Sequence, residues 1–151
     1  AEFKAALPGK YKQKFNFSPE EGADMLGKAM TNTEFWDAHA EKCLGCGTCV
    51  NTCPTCYCFD VQDDPDISLQ KGERYRTWDG CMLEDFTKVA GDEVFRKTKG
   101  QRFQHRLYRK SVYLPQRFGF PGCVGCGRCA SQCLPDIADP VKVLNDLKKV
   151  S

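Results

Sequence analysis

A chain of 151 residues is one domain's worth of polypeptide, able to bury roughly 70% of its unfolded surface. Charged residues make up 28% of it, yet the formal net charge is only +2, so overall charge singles out no polyanionic or acidic partner. No apolar run approaches the ~20 residues of a membrane span, and no stretch reads as a secretory signal, so a cytoplasmic protein is expected.

The first structural signal is "SPEEGADMLGKAM", where Ser18 stands as N-cap, Pro19 in the first turn and Glu21 as the partner of a capping box. This predicts a helix running to about Met30. Thr33 is expected to cap a second helix over "EFWDAHAEK", which delivers the chain to Cys43. A strand is expected only at "RYRTW", residues 74–78. "GCMLEDFTKVA" reads as a third helix, with Met82, Phe86 and Val89 on one stripe and Gly91 as its stop. "KTKGQRFQHRLYRKSVYL" reads as a fourth, and "DPVKVLNDLKKV" as a last one, with Asp139 as cap and Pro140 in first position.

Eleven cysteines punctuate these elements, and eight of them form two matched blocks, "CLGCGTCVNTCP" and "CVGCGRCASQCLP". Each block has the spacing C-x2-C-x2-C-x3-C. The odd total and the tight local clustering argue against a disulfide framework, because a disulfide needs a particular Cα separation and dihedral. Zinc sites usually pair two short C-x2-C knuckles across a longer spacer. Three cysteines at i, i+3 and i+6 with glycines between them (Gly45, Gly47; Gly125, Gly127) instead wrap backbone around something bulky. That is the iron–sulfur run in which the fourth cysteine ligates the other cluster of a pair. One 4Fe-4S cluster is therefore expected on Cys43, Cys46, Cys49 and Cys133. A second 4Fe-4S cluster is expected on Cys123, Cys126, Cys129 and Cys53. Pro54 closes the first run directly, whereas the second reads Cys133-Leu134-Pro135, with its proline one residue later.

Between Cys53 and Cys123 lie 69 residues, and their periodicity reads largely as helix. The expected fold is mainly α: an α-helical ferredoxin-like domain with two 4Fe-4S clusters and a long helical insert between the cysteine runs. Its expected organisation is a helical N-terminal segment (1–42), a dicluster iron–sulfur domain (43–138) and a C-terminal helix (139–151).

Three further motifs, "CPTCYCFDVQDD", "TWDGCMLEDF" and "RFQHRLYRK", carry a family resemblance. Over about residues 34–137 the chain resembles the electron-transfer subunits that include the β subunit of NAD(P)-linked nickel–iron hydrogenases (sulfhydrogenases) and its counterpart in anaerobic sulfite reductase. The resemblance implies a module with two 4Fe-4S clusters that passes electrons between a flavin-bearing subunit, linked to NAD(P)H or ferredoxin, and a catalytic oxidoreductase subunit. Members of that family carry a sizeable domain before the module, whereas 42 residues precede Cys43 here. The chain therefore reads as a fragment or a short variant.

Cys56, Cys58 and Cys81 are left over. They read either as buried small hydrophobes, as a third metal site completed by His105, Asp79 or water, or as a reactive thiol if a helix start at "WDGC" lowers the pKa of Cys81. A third site would make the protein an iron–sulfur enzyme or regulator. Residues 96–117 hold eight Lys/Arg and no acidic residue, which suits a solvated face, a docking face for an acidic partner, or positive charge that tunes a cluster. No nucleic-acid-binding fold accompanies the run. "DVQDDPD" lacks calcium-loop spacing and is expected as a solvated turn. His39 and His105 carry no expected ligand role of their own, and Trp36 and Trp78 are expected in the core or shielding a cluster. Nothing resembles a catalytic triad or a dinucleotide-binding loop, so the chain is expected to carry electrons rather than to transform a substrate by itself.

Overall fold

The computed structural model describes residues 13–151; the first twelve residues of the expected 1–42 segment lie outside it. Helix α1, Pro19–Ala29, starts as its sequence dictates. Ser18 Oγ accepts from the Glu21 N–H, and Glu21 returns a carboxylate oxygen to the Ser18 N–H at 2.8 Å. Helix α2, Thr33–Ala40, is capped one residue earlier than expected, by Asn32, whose Oδ1 accepts from the Phe35 N–H. Two one-turn helices follow at equivalent places in the cysteine runs, α3 at Thr48–Asn51 and α6 at Arg128–Ser131. Between them come strands β1, Phe59–Pro65, and β2, Gly72–Trp78, then helix α4, Lys99–Tyr108. Helix α4 continues through a π-helical turn, Arg109–Tyr113, into α5, Leu114–Phe118. Helix α7, Pro140–Lys149, closes the chain.

The core is a helical sandwich. Helix α2 packs on α4, and α7 packs on α1. Trp36 of α2 lies edge-on to Tyr108 of α4, and its indole Nε1–H donates to the Ala29 carbonyl oxygen at 2.9 Å. The Tyr108 hydroxyl donates to the Leu26 carbonyl oxygen, tying α4 to α1. Val143, Leu144 and Leu147 of α7 complete the same apolar cluster, which also contains Phe103, Cys43, Cys81 and Met82.

Four expectations need correction. The fold is not mainly α with a helical insert. The insert opens with an antiparallel two-stranded ribbon pairing Phe59 with Trp78 and Pro65 with Gly72, and the result is a mixed, ferredoxin-like iron–sulfur domain. Every residue of both strands is exposed, so no alternation of apolar and polar side chains advertises β1, and its Asp and Pro content argues against a strand. The "DVQDDPD" stretch accordingly belongs mostly to β1 rather than to a turn, and Asp63 pairs with Arg74 across the ribbon.

The expected helix at 80–90 is likewise absent. Its place is taken by successive turns, with N–H groups of Leu83, Phe86 and Lys88 donating three residues back, and Thr87 adopts a left-handed φ of 71°. Met82 and Phe86 are buried as a helical stripe would require, but Val89 is exposed; two anchors four residues apart mimic a helix without making one. Finally, Trp78 is 72% exposed, so of the two tryptophans only Trp36 belongs to the core.

Candidate metal centre

Within each cysteine run the backbone takes the same path. Gly45 and Gly47 have φ of 67° and 70°, and Gly125 and Gly127 have φ of 65° and 72°. These left-handed values suit glycine alone at little cost. They turn the chain so that the third cysteine of each run, Cys49 or Cys129, rides on the following one-turn helix. Helices α3 and α6 pack against each other, which brings the two runs face to face across the 69-residue insert.

Two hollows result. One is lined by Cys43, Cys46 and Cys49 together with Cys133 from the second run, beside Met82 and Phe103. The other, of about 360 Å³, is lined by Cys123, Cys126 and Cys129 together with Cys53 from the first run. The fold thus brings together each set of four thiols that the spacing groups. Among the described residues no three His, Cys, Asp or Glu side chains converge closely enough to hold a metal ion; the sulfurs instead line the walls of the two hollows. The first hollow, at about 20 Å³, is far tighter than the second; in each, four soft donors are the ligand set of a 4Fe-4S cluster, whose iron atoms each take one thiolate. The two ends differ in exposure. The difference lies in the first cysteine: Cys43 is buried and Cys123 exposed, while Cys46 and Cys126 are both exposed and the other four ligand candidates half-buried.

Local polar groups prepare some of the thiols. The Gly45 N–H donates to Cys43 Sγ at 3.4 Å. Cys46 is held below its ordinary value by hydrogen bonding to Thr48. Burial pushes the Cys53 thiol up, but hydrogen bonding to Thr55 and the nearby Lys110 ammonium outweigh it and bring it down to about 6. Lys110 Nζ in turn donates to Thr55 Oγ1 at 2.7 Å, and Thr55 Oγ1 donates to the Gly122 carbonyl oxygen at 2.5 Å. This chain of contacts ties Cys53 to the segment that enters the second run. Cys49 is pushed up to about 11 by burial, against the pull of Arg106.

The leftover cysteines pack into the core. Cys81 is buried within the main apolar cluster, and Cys56 and Cys58 pack against it. Burial drives Cys81 up to about 12, the opposite of a reactive low-pKa thiol. His39 Nε2 lies 3.0 Å from the Ile137 carbonyl oxygen, and its ring stacks between Phe35 and Phe103. His105 packs beside Phe86 and Tyr113.

The basic run is not one solvated face. Arg102, Arg106 and Lys110 recur every fourth residue along α4 and the π-helical turn, and they are only 6%, 4% and 7% exposed. The charges are plain in the sequence, but their direction is not. The spacing of four is the one signal there that groups them on a single face.

The 4Fe-4S dicluster domain family matches residues 42–137. The chain is similar to sulfhydrogenase 2 subunit beta of Pyrococcus furiosus, 42% identical over 127 residues, which cover 84% of this chain and 36% of that protein. It therefore spans little more than a third of the length of that curated relative. No solved structure matches. No helix among the described residues is long and apolar enough to cross a membrane. With two cysteine-lined hollows and a family match over most of its length, the chain belongs to the 4Fe-4S dicluster domain family.

Proposed function

We propose that this chain is an electron-transfer subunit or domain of a multi-subunit oxidoreductase, relaying single electrons between a flavin-bearing subunit, linked to NAD(P)H or ferredoxin, and a catalytic subunit, in the cytoplasm. The observation that carries this reading is the pair of hollows, each lined by three cysteines of one run and the fourth cysteine of the other. Cys43, Cys46, Cys49 and Cys133 hold one 4Fe-4S cluster; Cys123, Cys126, Cys129 and Cys53 hold the second. Bound clusters of this type supply one-electron chemistry at potentials of about −700 to +450 mV. The protein's own part is to hold the thiolates, to bury Cys43, and to leave Cys46, Cys123 and Cys126 at the surface.

Residues 43–138 form the cluster-bearing unit in this reading, flanked by the 1–42 segment and the 139–151 helix. The sulfhydrogenase relative, named as a β subunit, supports a place within a larger assembly. Nucleic acid has no part in this reading.

Anaerobic iron and acid-labile sulfide analysis with EPR of the reduced protein tests the proposal. About eight iron and eight sulfide per chain, with spectra broadened by coupling between two spins, is the expected result. Zinc without sulfide would overturn it.

A further inference from the structure

Of the three inward cations on α4 and its π-helical turn, two have protein partners. Arg102 Nη1 donates to the carbonyl oxygens of Arg96 and Lys97 at 3.1 and 3.0 Å, closing the turn that leads into its own helix. Lys110 Nζ donates to Thr55 Oγ1 and Gly122. The Nε of Arg102 is also buried without a partner, but Arg106, the central one, differs in having no hydrogen-bond partner at any guanidinium nitrogen among the described residues. It is 4% exposed, and its Nη1 is buried with no hydrogen-bond partner among the described residues. No carboxylate pairs with it among the described residues. A guanidinium stays charged at any ordinary pH, and an unpaired buried charge is strongly unfavourable. An anion therefore belongs beside it.

The surroundings identify that anion. Arg106 lines the hollow of Cys53, Cys123, Cys126 and Cys129. Burial works against its charge, so the anion it needs is one that the neighbouring thiols, themselves held protonated by burial at Cys49 and Cys81, do not supply unless they ligate a cluster.

We propose that Arg106 is a positioning residue of the Cys53, Cys123, Cys126 and Cys129 quartet, a buried cation in the wall of that hollow that raises the reduction potential of the cluster held there. This rests on the two-cluster reading above. Reduction adds one negative charge to a cluster, and a fixed cation in a dry site stabilises that added charge far more than a surface lysine does. A planar guanidinium has several donors and can serve two sulfur groups at once, which a single ammonium cannot do equally well.

The test uses the full chain, anaerobically loaded with iron and sulfide, as wild type, Arg106→Gln, Arg106→Lys and the exposed control Arg117→Gln. Potentials of both clusters are read by EPR-monitored redox titration. In Arg106→Gln the potential of the cluster on Cys53, Cys123, Cys126 and Cys129 is expected to fall by at least a tenfold change in the reduction equilibrium, ~59 mV for one electron. Arg106→Lys should recover part of that fall, and Arg117→Gln should match wild type. An unchanged potential of that cluster in loaded Arg106→Gln, or a fall confined to the other cluster, would overturn the proposal.

Should Arg106→Gln fail to load, pulsed EPR of reduced wild type grown with guanidino-15N arginine decides. A nitrogen coupling present in wild type and missing in Arg106→Lys supports the assignment, and no such coupling in wild type overturns it. A wild type without two clusters would instead remove the functional reading itself, so the two failures are distinguishable.

Discussion

His105 shows how far a residue's surroundings can move its chemistry. It is half-buried on α4, and burial first, then Arg96 and Arg109, brings its pKa down from 6.5 to about 4. The unfolded chain therefore takes up a proton at this residue below about pH 6.5, and the folded chain refuses it until about pH 4. Stability at this site is fully present above pH 6.5 and is lost as pH falls toward 4. Urea unfolding of wild type and His105→Gln at pH 7 and pH 5 checks this. Wild type should lose more stability than the variant over that interval, and parallel losses would show that His105 is not the group responsible. Cys81 teaches the same lesson, since its place in the apolar core, not its position after "WDG", governs the thiol.

At the scale of the element, α7 joins a local signal to a tertiary payoff. Asp139 Oδ1 accepts from the N–H groups of Val141 and Lys142, at 2.9 and 3.5 Å, and so satisfies two of the donors that a helix start leaves free. Val143 and Leu147 are both 0% exposed. Asp139→Ala should cost about 1 kcal/mol, whereas Leu147→Ala should cost about 2–5 kcal/mol because it opens a cavity that the helices around it cannot close. Denaturant unfolding at constant cluster content measures both, and equal losses would mean that α7 is held by its cap rather than by its packing. The β-ribbon is the opposite case, an element without a buried side chain that stands by its ladder and its cross-strand pairs.

Across the whole molecule, the runs at 43–53 and 123–133 form one centre because α3 packs on α6 and the fourth cysteine of each run reaches the other's hollow. Under the proposed crossed ligation the folding of the two runs is interdependent, as metal binding and folding generally are. Cys53→Ser and Cys133→Ser should therefore each lose about half of the iron and sulfide, and the reduced spectrum should change from a coupled pair to a single simple signal. Full iron content in either variant would show that its cysteine is not a ligand.

Taken alone, the amino-acid sequence determined the cysteine spacing, the glycine turns inside each run, and the helices at α1, α2, α4 and α7 with the caps of α1 and α7. All of these depend on residues close together in the chain, where spacing and side-chain chemistry act directly. The β-ribbon escaped because an element with both faces in water imposes no apolar pattern on its sequence. The region 80–90 misled because Met82 and Phe86 are fixed by what they pack against, not by their own turn. Only the tertiary structure decided that Arg102, Arg106 and Lys110 point inward while their basic neighbours do not. A charged side chain reads the same in sequence whichever way it faces, and its direction depends on the apolar and cysteine-bearing segments, distant in the chain, that close over it.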